Sequence, residues 1–256
     1  PVAKRLLLKG ITVNQSCSYC YEYLGDAQIY EGAYELAAQS YEKALATRAY
    51  TEETSVKLAK AVLLSGYPEK AAQLFEKILS MNSRNDEALY WLSNAYLEMG
   101  MVAQAKQLPA KLKMKQKTGW VHLAQGEVYE TQGKVDAALI SFSVASRLMP
   151  EEPRTLAAAG RMNLVKEEFE EAVMNFGKAL GQDPHNPQYL VNLGEAYEGL
   201  GDNESALQFY TEVIRTNSHY ARAFYLAART RSKEGNHVEA IKMLREGLEQ
   251  IGRAHV

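Results

Sequence analysis

This sequence predicts an all-α solenoid of about seven helical hairpins, on three observations. A pattern recurs every 34 residues or so, small residues occupy two fixed places in each period, and glycine occupies a third. The segment from Pro187 to Tyr220 displays the unit, with Leu193, Gly194, Tyr197, Gly201, Ala206 and Tyr210 at positions 7, 8, 11, 15, 20 and 24. One period earlier stand Gly160, Ala172, Phe176, Ala179 and Pro184, at positions 8, 20, 24, 27 and 32. Before them come Gly126, Tyr129, Gly133, Ala138, Phe142, Ala145 and Pro150 at matching offsets. A third step back, one residue shorter, finds Leu92, Tyr96, Gly100 and Ala105. Leu58, Gly66, Ala71 and Phe75 precede those, and Leu24, Gly25, Gly32, Ala37, Tyr41 and Ala44 precede them in turn. Forward of Tyr220 follow Phe224, Gly235 and Ala240. The periods are therefore 18–51, 52–85, 86–118, 119–152, 153–186, 187–220 and 221–254. Residues 1–17 fit the same frame as the second helix of a truncated preceding repeat, so the chain reads as a piece of a longer array.

Each recurring position has a physical reason. Small residues at 8 and 20 let the two helices of a hairpin approach closely, and aromatics at 11 and 24 are expected to fill the gap to the neighbouring unit. Glycine at 15 ends the first helix in a left-handed conformation, and proline at 32 stops the second. A single hairpin cannot bury its own apolar face, so the units must stack. One unit departs from the pattern. Pro109 falls at position 24 of 86–118, inside the second helix, which predicts a kink or a shortened helix there. Lys106 precedes it and Lys111, Lys113, Lys115 and Lys117 follow, a basic strip that reads either as a solvated helix end or as a docking strip for an acidic partner.

Composition removes several classes of function. Hydrophobic residues make up 46% and charged residues 23%, and the net charge of −2 gives no bulk attraction to nucleic acid or an anionic membrane. No apolar run approaches the roughly 18 residues a membrane helix needs. Two cysteines are too few for a disulfide framework, which favours a reducing compartment, so the expected location is cytoplasmic, with a ciliary one left open. Cys17 and Cys20 have the spacing of half a zinc site, but no second pair exists, and His122, His185, His219, His237 and His255 are scattered. A redox reading wants a strand-to-helix context that a helical repeat lacks, so the pair reads as plain thiols. There is no phosphate-binding glycine loop, Glu167, Glu168, Glu170 and Glu171 read as a solvated face, and His122 reads as a core histidine. The expectation is a protein without catalytic residues, metal or cofactor.

The repeated positions resemble the tetratricopeptide-repeat family over nearly the whole chain. That resemblance implies a right-handed superhelix whose concave groove is lined by positions 2, 5, 9, 12 and 13 of each first helix and holds protein or peptide segments. Carried onto this sequence, the N-terminal lining is Tyr19, Tyr30, Leu63, Leu64, Tyr90, Trp120 and Leu123, suited to a partner helix or extended peptide, with Asn94 among them. The C-terminal lining is charged: Arg154, Arg161, Glu195, Glu198, Arg222, Arg229 and Lys233. The Lys and Asn clamp of chaperone-binding members is missing, as is the asparagine ladder of sugar-transferase members, since Asn94 and Asn192 stand alone. Binding of an acidic chaperone tail is therefore not expected. Position 9 reads Asp26, Lys60, Asn94, Glu127, Arg161, Glu195 and Arg229, an alternation expected to form a self-neutralised ladder between adjacent helices. A narrower likeness covers residues 1–60. Asn14, Ser16, Cys17, the run from Tyr21 to Gly25, Ala33, Tyr34, Ala37, Ala38, Tyr41 and Glu42 are similar to the C-terminal repeats of the large repeat subunit of the intraflagellar transport A complex. The expected function is a non-catalytic scaffold or adaptor, part of a larger assembly such as intraflagellar transport. Two alternatives stay open: a structural protein that forms oligomers by end stacking, and the regulatory arm of an enzyme.

Overall fold

A computed structural model describes residues 2–47, 51–110, 118–217 and 220–254, with side chains for 4–47, 51–109, 118–217 and 220–250. The basic strip from Lys111 to Lys117, His219 and His255 lie outside the described residues. Within the described residues the chain forms fifteen α-helices and no strand. They are α1 (Val2–Val13), α2 (Ser18–Tyr30), α3 (Tyr34–Thr47), α4 (Glu52–Leu64), α5 (Pro68–Met81), α6 (Asp86–Glu98), α7 (Val102–Ala110) and α8 (Gly119–Thr131). There follow α9 (Val135–Leu148), α10 (Pro153–Val165), α11 (Phe169–Gln182), α12 (Pro187–Gly199), α13 (Asn203–Thr216), α14 (Ala221–Lys233) and α15 (His237–Ala254). Each period thus starts a new helix pair.

The chain divides into two compact units, residues 1–131 and 132–256. In the first, every helix from α1 to α7 packs on its successor, and α8 packs on both α6 and α7. In the second, every helix from α9 to α14 packs on its successor. The period 119–152 is shared, α8 belonging to the first unit and α9 to the second.

Local chemistry explains where the helices begin and end. Asn85 caps α6 by accepting the Ala88 amide at 2.8 Å, Asn186 caps α12 through the Gln188 and Tyr189 amides, and Asp202 caps α13 through the Ser205 amide. Pro68, Pro153 and Pro187 open α5, α10 and α12, where the missing amide hydrogen would have no helical partner anyway. The first helix of every pair stops at position 15, where Gly32, Gly66, Gly100, Gly133, Gly201 and Gly235 all have positive φ. The seventh such position is Glu167, the one described non-glycine residue with positive φ, at 59°. The hydrogen bonds are those of a Schellman stop: Gly201 N donates to Glu198 O and Asp202 N to Tyr197 O, and around Glu167 the donors Glu167 N and Glu168 N reach Leu164 O and Asn163 O.

The core sits along the seams between paired helices. Position 20 is alanine in every unit, Ala37, Ala71, Ala105, Ala138, Ala172, Ala206 and Ala240, and all seven are buried. The aromatics at position 24 do more than fill a gap between units. The rings of Tyr41, Phe176 and Tyr210 lie over Gly25, Gly160 and Gly194 of their own hairpins, so closely that a Cβ there would fall 2.6, 2.9 and 2.5 Å from a ring atom. The same Tyr41 ring reaches forward into a buried cluster with Leu58 and Ala61 of the following pair. Pro109 occupies the corresponding place in α7 and is buried, and across from it Ser93 at position 8 donates to Ala105 O at 3.5 Å. Position 11 pairs with position 23. Tyr197 stacks on Phe209 at 5.5 Å, whereas the polar Asn163 accepts from Asn175 at 2.9 Å and Gln28 hydrogen-bonds Ser40 at 2.7 Å.

Candidate functional site

In the first unit the feature that faces solvent is an aromatic row on α2. Tyr19, Tyr23 and Tyr30 recur at spacings of four and seven, which places them on one face of the helix. They are 56%, 58% and 69% exposed. Tyr23 is not among the groove residues expected from the sequence, although its four-residue spacing from Tyr19 is the signal that finds it. Asp26 lies on the same face, with Glu22 beside it. Lys57 of α4 bridges Glu22 at 3.0 Å and Asp26 at 3.2 Å. Burial works against the ammonium charge of Lys57, but the hydrogen bonds it donates to both carboxylates outweigh it and the pKa is raised. Tyr41 Oη donates to Asp26 at 2.8 Å, so this carboxylate also ties α2 to α3.

The remaining N-terminal lining divides between surface and core. Leu64 is exposed, and Trp120 and Asn94 are half-buried, Asn94 Nδ2 donating to Tyr90 O at 3.5 Å. Leu63, Tyr90 and Leu123 are buried, which corrects their reading as exposed groove residues: packing within the chain covers their side chains. Tyr90 shows how. Its ring lies 5.0 Å from Trp91 and 5.3 Å from Trp120, and its hydroxyl donates to Glu127 at 2.9 Å, joining α6 to α8. The Lys60 ammonium sits 5.0 Å above the Trp91 ring and extends the same seam to α4. His122, on α8, is half-buried.

In the second unit the first helices carry an ionic network. Arg222 of α14 donates to Glu195 of α12 at 2.6 Å, and Arg229 and Lys233 of α14 both reach Glu198 of α12, at 2.8 and 2.6 Å. Tyr210 Oη donates to the same Glu198 carboxylate at 3.2 Å. The Glu198 side chain is only 6% exposed, and burial pushes its pKa up, yet the hydrogen bonds from Lys233 and Arg229 prevail and hold it below the usual carboxylate value. Arg229 also lies 5.9 Å from the centre of the exposed Tyr225 ring. Arg154, half-buried, forms a bidentate pair with Glu152, the capping residue of its own helix, and Arg161 is half-buried on the same helix.

Adjacent first helices are joined by ion pairs through the position-9 residues Asp26, Glu195 and Arg229. These pairs run diagonally, position 2 to 9 for Arg222 and Glu195, position 9 to 12 for Arg229 and Glu198, and position 6 to 9 for Lys57 and Asp26. Helices that cross at an angle do not set equal positions opposite one another.

Cys17 and Cys20 are not thiols but a disulfide, with Cα atoms 5.2 Å apart. The first turn of α2 brings the two residues within disulfide range, so no strand is needed. Among the described residues no group of three or more His, Cys, Asp or Glu is placed to hold a metal ion, and no helix is long and apolar enough to cross a membrane.

Two tetratricopeptide-repeat family models match residues 62–125 and 157–221, together half of the chain. The chain belongs to the tetratricopeptide-repeat family. Among curated proteins it is 28% identical over 87 residues to the human general transcription factor 3C polypeptide 3, a match covering 34% of this chain and 10% of that protein. It is 29% identical over 106 residues to the Arabidopsis thaliana TPR repeat-containing thioredoxin TTL4, covering 41% of this chain and 15% of that one. These relatives are thus matched over a small part of their own length. Among solved structures, the APC/C hetero-tetramer Cut9-Hcn1 aligns with a TM-score of 0.69 at 16% identity, over 98% of this chain and 52% of that one. MamA MSR-1 C2 aligns with a TM-score of 0.53 at 18% identity, over 63% and 94%. The likeness to these structures is one of fold. As a tetratricopeptide-repeat protein, the chain has the general character of a protein–protein interaction scaffold.

Proposed function

We propose that this chain is a non-catalytic scaffold or adaptor that grips partner segments on the exposed faces of its first helices, with the tyrosine row of α2 as the principal contact. The observation that carries this reading is the coincidence of Tyr19, Tyr23 and Tyr30 on one helical face, each more than half exposed. Tyrosine presents a large apolar area with a polar tip and only two side-chain torsions to freeze, which suits a binding hot spot. Lys57 pairs with both Glu22 and Asp26 beside the row and offsets one of their two charges, so the face suits a partner helix or extended segment anchored by apolar side chains and disfavours an acidic ligand. The surviving groove residues in the second unit, Arg154, Arg161, Glu195, Arg222, Arg229 and Lys233, supply paired charges that set register rather than bulk attraction. An acidic chaperone tail finds no convergent Lys and Asn donors, and the net charge of −2 gives no bulk attraction to nucleic acid. The likeness of residues 1–60 to the intraflagellar transport subunit makes a multi-subunit cytoplasmic or ciliary assembly the natural setting for this role.

The test is affinity capture with the intact protein against the triple variant Tyr19→Ser, Tyr23→Ser, Tyr30→Ser. The expected outcome is loss of the partners retained by the unsubstituted protein while helicity and melting temperature stay within error. Undiminished capture by the triple variant overturns the assignment of the α2 face.

A further inference from the structure

The pair Cys17 and Cys20 lies outside the recurring positions that define the repeats. We propose that their disulfide is a site of thiol–disulfide exchange that takes electrons from a dithiol of the Cys-x-x-Cys class. Three features support this. First, the bond joins residues three apart that the opening turn of α2 already holds together, so it removes little freedom from the unfolded chain and is poorly placed as a structural staple. Second, Cys17 is the N-cap of α2, and its Sγ accepts the Cys20 amide at 3.3 Å. A thiolate released on Cys17 would sit on that donor at the positive end of a 13-residue helix, which makes it a stabilised leaving group. Third, the two residues are half-buried rather than sealed in the core, and on one side Cys20 Sγ rests against Gly10 of α1, where an added Cβ would lie 3.1 Å away.

The exchange balances without any further reagent. A thiolate of the partner attacks one sulfur, the Cys17–Cys20 bond breaks, and the other cysteine leaves as a thiolate while a mixed disulfide forms. The partner's second thiol, deprotonated, attacks its own sulfur in the mixed disulfide and releases the remaining cysteine. Two electrons pass from the partner to the Cys17–Cys20 pair. The two protons given up by the partner's thiols go to Cys20 and to solvent, or to Cys17 when its thiolate is protonated. The partner leaves as a disulfide.

The experiment titrates the native, oxidised protein with dithiothreitol as the probe dithiol, followed by maleimide labelling and mass measurement. Two labels per chain are expected at reductant levels that leave helicity unchanged, and oxidised glutathione added before the maleimide should restore the disulfide and abolish the labelling. Opening only where the helices melt, or a pair that stays reduced under oxidised glutathione, overturns the proposal. The variants Cys20→Ser and Cys17→Ser isolate the two thiols. The pH profile of iodoacetamide labelling should place the Cys17 midpoint about one pH unit or more below that of Cys20, a roughly tenfold greater thiolate fraction at neutral pH. Coincident profiles remove the helix-terminal thiolate and with it the proposal. None of these readouts depends on the α2 face binding a partner.

Discussion

At position 15 a left-handed backbone is required, and six of the seven units meet it with glycine while one uses Glu167 at φ 59°. A side chain with a Cβ pays a steric penalty in that region, so Glu167→Gly should stabilise the protein by about 1 kcal/mol and raise the melting midpoint by about 2–4 °C. A lowered or unmoved midpoint in thermal unfolding by circular dichroism would show that Glu167 is held there by a compensating contact. This position was legible in the sequence because a backbone demand has essentially one residue answer. The glycines at position 8 were legible as small but not as to what they admit, since periodicity gives spacing along the chain and not which ring leans on which helix. The structure supplies the contrast. Gly194 lies under the buried Tyr210 ring, while Gly177, inside α11, has nothing within 4 Å of where its Cβ would be. Gly194→Ala should therefore cost about 1–3 kcal/mol by overpacking, and Gly177→Ala should gain about 0.5–1 kcal/mol from helix propensity. Urea unfolding of the two variants checks the pair of opposite signs. The cysteines were misjudged for a related reason: their chemistry depends on N-cap geometry, which spacing alone suggests but does not fix.

Between elements, charge and burial decide what the groove positions become. Leu63 and Leu123 were readable as apolar first-helix residues, but whether such a residue faces a partner or the next helix depends on the crossing of neighbouring helices, which no single repeat encodes. The ionic network of the first helices runs diagonally for the same geometric reason. Its best-defined member is Glu198, which holds Arg229, Lys233 and the Tyr210 hydroxyl and so joins α12 to α13 and α14. Because its folded pKa lies below the unfolded value, the native state binds this proton less readily than the unfolded chain. The stabilisation is thus present above the ordinary carboxylate range and lost as the pH falls through the folded pKa. Glu198→Gln should cost about 1–3 kcal/mol at neutral pH, the worth of hydrogen bonds to charged groups discounted for the exposure of both cations. The difference between the two proteins should shrink as the pH is lowered through and below that range. Denaturant unfolding at several pH values reads this directly, and a penalty that is constant with pH would mean that Glu198 acts through shape rather than charge.

Within each compact unit, each helix packs on its sequence neighbours and at most on the next first helix, as in α4 with α6 and α10 with α12. Stability in such an arrangement is close to a sum of repeat and nearest-neighbour terms, with no single core to transmit a defect. The repeating alanines of position 20 give a way to test this, since each is buried at the seam of its own hairpin. Ala71→Leu in the first unit and Ala206→Leu in the second should each cost about 1–3 kcal/mol through overpacking. Hydrogen exchange followed by mass spectrometry should then show lost protection in α4, α5 and α6 for the first substitution and in α12, α13 and α14 for the second, with the far helices keeping their native rates. Because the two sites are far apart along the chain and share no packing partner, their costs should add to within about 0.5 kcal/mol in the double variant. If either substitution instead lowered protection evenly through all the helices, or the double variant departed from additivity by more than that, the molecule would be unfolding as one cooperative body. The local rules that make its repeats legible would then not govern its stability.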